Sequence, residues 1–175
     1  MTPLREFRSL AIAEFSDAAE AAEATLEIVP HGPSACELLD RTFIDMVRKG
    51  QGGFPIPVSE GCGSILIIEA DGTTREEADG TLRMILKGVT SAGKFAVPTD
   101  ASQKEKVWAF RKAASPLLNR GRGKLKSVRF IEDGAVPTEN IPPSWISANQ
   151  RLVDVGTIAG ANRQLCDGTL AAGSL

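Results

Sequence analysis

Histidine is nearly missing from this sequence: His31 stands alone among 175 residues. A single imidazole cannot build an all-protein histidine metal cluster, and its setting in the turn Pro30-His31-Gly32-Pro33 reads as exposed rather than ligating. Cysteine is scarce as well. Cys36, Cys62 and Cys166 are odd in number, far apart and without a C-x-x-C pair, so they indicate neither a zinc site nor a disulfide framework. A reducing, cytoplasmic setting is expected from that usage. A basic excess is also lacking. The net charge of −2 argues against a nucleic-acid-binding surface. The one basic run, RGRGKLK at 120–126, is spaced by glycines and reads as a solvated loop. No apolar run approaches the roughly 18 residues that span a bilayer. Glu6 and Arg8 interrupt any basic-then-apolar leader pattern at the start. No glycine-rich turn follows an early strand, which lowers the doubly wound, nucleotide-binding alternative. No repeat of fixed period is visible.

What is present is a regular alternation of strand and helix signals. Leu10 and Ile12, flanked by alanines, predict a strand over 7–14. Ser16 is placed to cap an alanine-rich helix over 17–27, which Pro30, Gly32 and Pro33 end. A short strand over 36–39 follows, then a helix over 41–49 with Asp40 as its cap. Residues 50–63 are rich in Gly and Pro and read as a long loop, a class that is often functional or mobile. The run Ile65-Leu66-Ile67-Ile68 has strand length, with a turn expected at Asp71-Gly72. Thr74 and Glu77 have capping-box spacing, and Ala78, Leu82, Ile85 and Val89 then share one helical face. Gly93 is expected to stop that helix before a strand over 95–97, closed by Pro98. Asp100 and Gln103 open a last helix with the stripe Val107, Phe110 and Ala114, bent or ended at Pro116. A strand over 127–136 completes the series. The order predicts an α+β fold, a ferredoxin-like antiparallel sheet with helices on one face.

Three segments, in order, carry a family resemblance: GPSACELLDR at 32–41, WAFRKA at 108–113 and VRFIEDGAVP at 128–137. Together they resemble the C-terminal (cap) domain of FAD-linked oxidases, the family of the D-lactate dehydrogenases and the glycolate oxidase D-subunit. The resemblance covers about residues 5–142 and makes residues 1–142 the cap domain. Residues 143–175 read as a divergent or appended tail, because the family's H-x-G-D-G-N-x-H strand has no counterpart there. The F-I-E-D-x-A-V-P form is closest to members that also carry an iron–sulfur half. Residues 3–8 look like the point where such oxidases leave their flavin-binding domain.

The resemblance implies a substrate-side cap of an FAD-dependent oxidoreductase that oxidises a 2-hydroxy acid such as D-lactate or glycolate. FAD would be held mostly by a neighbouring FAD-binding domain, and the isolated chain would be catalytically silent. Arg111 then faces the substrate carboxylate, which a planar guanidinium grips through two parallel hydrogen bonds; Lys112 reads as solvated. Glu132 and Asp133 would line the cofactor side. As strand neighbours they point to opposite faces and cannot act as a dyad. Trp108 is expected either in the core or as a pocket wall, and Glu37 and Asp40 as structural residues. The competing expectation is a ferredoxin-like module for small-molecule binding or oligomerisation, with the sheet face as a homodimer interface.

Overall fold

A computed structural model describes residues 5–49, 53–112 and Asn140. Strand β1 (Phe7–Phe15) leads into helix α1 (Ala18–Ile28) and a 3-10 turn over Val29–His31. Strand β2 (Ala35–Asp40) runs directly into helix α2 (Arg41–Lys49). Then come β3 (Ser64–Gly72), α3 (Arg75–Gly88), β4 (Lys94–Ala96) and α4 (Ala101–Lys112). The sheet order is β2-β3-β1-β4 and every pairing is antiparallel. This is the ferredoxin-like α+β arrangement that the element order predicts. The proposed strand over 127–136 lies outside the described residues.

Local chemistry explains most boundaries. Asp40 accepts from Phe43 N at 3.0 Å, so β2 passes into α2 without a linker. Thr74 Oγ1 accepts from Glu77 N, and the Glu77 carboxylate reaches back to Thr73 N at 2.7 Å, a reciprocal pair that opens α3. Those bonds to Thr73 hold the Glu77 carboxyl below its usual range. Three expectations shift by a residue or more. The cap of α1 is Asp17, which accepts from Glu20 N, while Ser16 N and Oγ donate to the Glu20 carboxylate. Asp71 and Gly72 pair with Arg8 and Phe7 on β1, so the turn falls on the following threonines. Helix α3 stops at Gly88, with Val89 as its C-cap, well before Gly93.

Side chains alternate across the sheet, and here both faces are covered. Ala11, Ala13 and Phe15 of β1 meet Ala21, Ala24 and Ile28 of α1 and Leu82 and Ile85 of α3. The expected helical layer is therefore present, and small side chains on β1 and α1 let that helix seat closely. The opposite face is not bare. Leu10, Ile12, Leu39, Ile65 and Ile67 pack under Phe43, Ile44 and Val47 of α2 and Val107 of α4, with Phe54, Ile56 and Val58 laid against them. Two-sided burial is the reason β3 reads as an unbroken apolar run. It also assigns the segment after α2: its three apolar residues strap the second face, and the Phe54 and Phe43 rings both contact Phe110, at 5.0 and 5.1 Å between centroids.

Candidate functional site

Helix α4 seats Val107, its one fully buried residue, in the second core, with Trp108 and Phe110 packed against the same cluster. Polar ties add to that packing on the second face of the sheet. Lys104 Nζ donates to Arg8 O of β1 at 2.6 Å. One turn on, Trp108 Nε1 donates to Glu69 Oε2 of β3 at 2.9 Å. One turn further, Arg111 Nε donates to Glu37 Oε2 of β2. The three acceptors sit on three adjacent strands, in spatial order. Seven helical residues rise about 10 Å, and two strand spacings also come to about 10 Å. The repeat of the helix therefore matches the repeat of the sheet, and α4 lies across the strands with one tie per strand.

The two carboxylates receiving these ties are set among apolar neighbours. Glu69 is 6 % exposed and faces the same way as Ile65 and Ile67. A polar group so buried is costly without hydrogen-bond partners. It accepts from Trp108 and from Ser34 Oγ at 3.1 Å, with Arg8 NH1 at 3.6 Å. Glu37 pairs in register with Ile67, and its ion pair with Arg111 leaves the two side chains 18 % and 15 % exposed. Beside the Trp108 tie opens a cleft of about 890 Å³, its walls including Phe7, Arg8, Glu69, Lys104, Trp108 and Lys112.

The predicted site residues that fall among the described ones each have a place. Trp108 joins both of its expected roles, packed on the second core and walling the cleft. Arg111 does not line the cleft; its guanidinium turns to Glu37, which brings together two of the three sequence segments that carry the resemblance. Lys112 is exposed at the cleft rim. Glu132 and Asp133 lie outside the described residues, and His31 is exposed. Glu69 is the residue that sequence reasoning passes over. Its signal is the period of two that sets it in line with Ile65 and Ile67, since an acid on an apolar face requires partners. No group of three or more metal-ligating side chains occurs among the described residues, and no helix there is long and apolar enough to cross a membrane.

The two cysteines among the described residues, Cys36 and Cys62, are buried. Burial, reinforced by the neighbouring Glu37 charge, pushes the Cys36 thiol from its ordinary 9.0 up to about 12. Cys62 is raised too, by burial first and then by Glu14. In the unfolded chain Cys36 ionises near 9.0, so the stability it contributes is intact below that pH and is lost as pH rises toward 12. Urea titrations at pH 8 and pH 10.5 are expected to show a drop in unfolding free energy that shrinks in Cys36→Ala. Equal drops in both proteins would refute this assignment.

The family model described as FAD linked oxidases, C-terminal domain, matches residues 4–172. A D-2-hydroxyglutarate dehydrogenase from Haemophilus influenzae is 37 % identical over 60 residues, a stretch that is 34 % of this chain and 6 % of that protein. The chain thus aligns with only a small part of that relative's length.

Proposed function

Since the chain belongs to the family of FAD-linked oxidase C-terminal domains, we propose that it forms the substrate-side wall of a flavin-dependent oxidoreductase acting on a 2-hydroxy acid. Membership implies FAD in the intact enzyme and an FAD-binding domain as partner. When bound, FAD supplies the two-electron acceptor for the hydroxyl-bearing carbon. The described residues carry no glycine-rich dinucleotide turn for it. None of their strand-to-helix turns carries a Gly-x-Gly turn, and the two glycines with positive φ, Gly32 and Gly53, open no helix. What they offer is a wall.

The observation that carries the reading is the Arg111–Glu37 pair, which joins the 32–41 and 108–113 segments at one place. A guanidinium fixed in plane is suited to a carboxylate, the feature shared by all 2-hydroxy acids. In this proposal Arg111 binds that carboxylate, α4 holds Arg111 in place, and Trp108 shields the neighbouring cleft from water. Glu132 and Asp133 enter as the cofactor-side residues of the third segment. The relative's substrate, D-2-hydroxyglutarate, joins D-lactate and glycolate as a candidate.

The purified chain is expected to be colourless and to leave a redox dye unreduced with any of these acids. Joined to its FAD-binding domain, it is expected to bind flavin and to reduce the dye with at least one of them. A yellow, active isolated chain overturns the division of labour; a flavin-loaded assembly inert to every 2-hydroxy acid overturns the substrate class.

A further inference from the structure

Resting on the reading of Arg111 as the carboxylate-binding residue, we infer that Glu37 is the positioning residue that sets the plane of its guanidinium. The geometry leaves Glu37 little else to do. It projects from β2 on the face shared with Leu39, Ile65 and Ile67, all buried and apolar. A carboxylate there, 18 % exposed, has a desolvation cost that a cation must offset. Arg111 supplies that cation through Nε, the nitrogen nearest the aliphatic stem. Binding at Nε fixes the last torsions of the side chain and so orients the whole planar fork. An acceptor at one terminal nitrogen would leave the plane freer to turn.

The rest of α4 makes this anchoring effective. The ties at Lys104 to β1 and at Trp108 to β3 hold the helix against sliding or rolling over the sheet. The Arg111 backbone is therefore fixed before its side chain is oriented. What remains is side-chain rotation, which the bond from Nε to Glu37 restricts. A guanidinium held in advance loses less rotamer entropy when a ligand binds, which acts on affinity. Glu37 is thus placed to act through Arg111 without touching the substrate.

The test uses the flavin-loaded enzyme that contains this chain, with Arg111→Met, Glu37→Gln and Glu37→Asp compared by steady-state kinetics and thermal unfolding. Glu37→Gln keeps shape and removes charge, and is expected to raise KM for the hydroxy acid about tenfold while kcat changes by less than about threefold. Glu37→Asp, which keeps the charge, is expected to recover part of the loss. An unaltered KM in Arg111→Met overturns the reading of Arg111 itself. A raised KM in Arg111→Met with a wild-type KM in Glu37→Gln overturns the positioning role alone. A merely structural Glu37 would lower the melting temperature and leave KM where it was, which likewise overturns the positioning role. Should Glu37→Gln fail to fold, Glu37→Asp decides: its longer reach to Arg111 must raise KM, and a wild-type KM overturns the inference.

Discussion

Gly63→Ala is expected to destabilise the fold by roughly 3 kcal/mol or more, a core-overpacking loss at the upper end for a single methyl group. A β-carbon at this position would stand 1.8 Å from Ser16 O, 2.6 Å from Ser16 C and 3.1 Å from Asp17 Cα. All three atoms are backbone, so no side chain can swing aside. The same place holds two bonds that fix the fold's entry: Gly63 N donates to Phe15 O at 2.9 Å, and Ser64 Oγ donates to Asp17 O at 2.6 Å. They join the end of β1, the start of α1 and the start of β3. Making room for the methyl group requires parting these segments, which strains or breaks both bonds. For a chain of this length the melting temperature should fall by roughly 10 °C.

Gly80→Ala is the matched control, with the opposite sign. Gly80 lies inside α3, and an added β-carbon there would meet only the tip of Arg83, at 4.0 Å. The expected gain is about 0.5–1 kcal/mol, from helix propensity and a less flexible unfolded chain. Thermal unfolding by circular dichroism separates the two. Equal melting temperatures for Gly63→Ala and the wild type would show that the β1–β3 junction gives way easily, against the close backbone approach described here.

Much of this architecture is legible in the sequence, and Gly63 shows where legibility ends. Strand β3 announces itself through four consecutive apolar residues, and α3 through a capping box followed by a single apolar stripe. Both signals are local, because they arise from burial and capping within one element. The Gly-Pro-rich stretch around 50–63 likewise announces a loop. Composition does not say that Phe54, Ile56 and Val58 strap a second sheet face, or which glycine is obligatory, since both depend on distant backbone. The cap of α1 is ambiguous for a simpler reason: Ser16 and Asp17 are adjacent and both can accept from an amide. The site follows the same division. Arg111 and Trp108 stand out by their segment, while the acids that hold them lie 74 and 39 residues away in the chain. No periodicity links such pairs. The nearest signal is a carboxylate in line with isoleucines, which states that a partner is needed without naming it.

Arg111→Met in the flavin-loaded enzyme is expected to lower kcat/KM for a 2-hydroxy acid by roughly a hundredfold to a thousandfold. Charge-assisted hydrogen bonds contribute about 1.5–3 kcal/mol each, and a guanidinium can offer a carboxylate two at once. At the lower end of that range, losing both costs roughly 3–4 kcal/mol, which corresponds to a hundredfold to thousandfold in rate. The loss should fall mainly on KM, because the carboxylate is gripped before and during reaction alike. Arg111→Lys is expected to recover only part of it. An ammonium keeps the charge but is not a planar fork, and it cannot hold Glu37 and a substrate carboxylate in one plane. Specificity gives the sharper measurement. An analogue in which an amide replaces the carboxylate should be a poor substrate for the wild type and hardly poorer for Arg111→Met, since the lost interaction is absent from both reactions. Should the variant instead lose activity equally toward acid and amide, Arg111 would be holding α4 to the sheet rather than holding substrate. The melting temperature of the same variant reports that second role independently, because removing Arg111 takes a cation from the 18 % exposed Glu37. A wild-type ratio of acid to amide turnover would leave the guanidinium as a structural tie, and the carboxylate-binding residue would have to be sought elsewhere in the assembled enzyme.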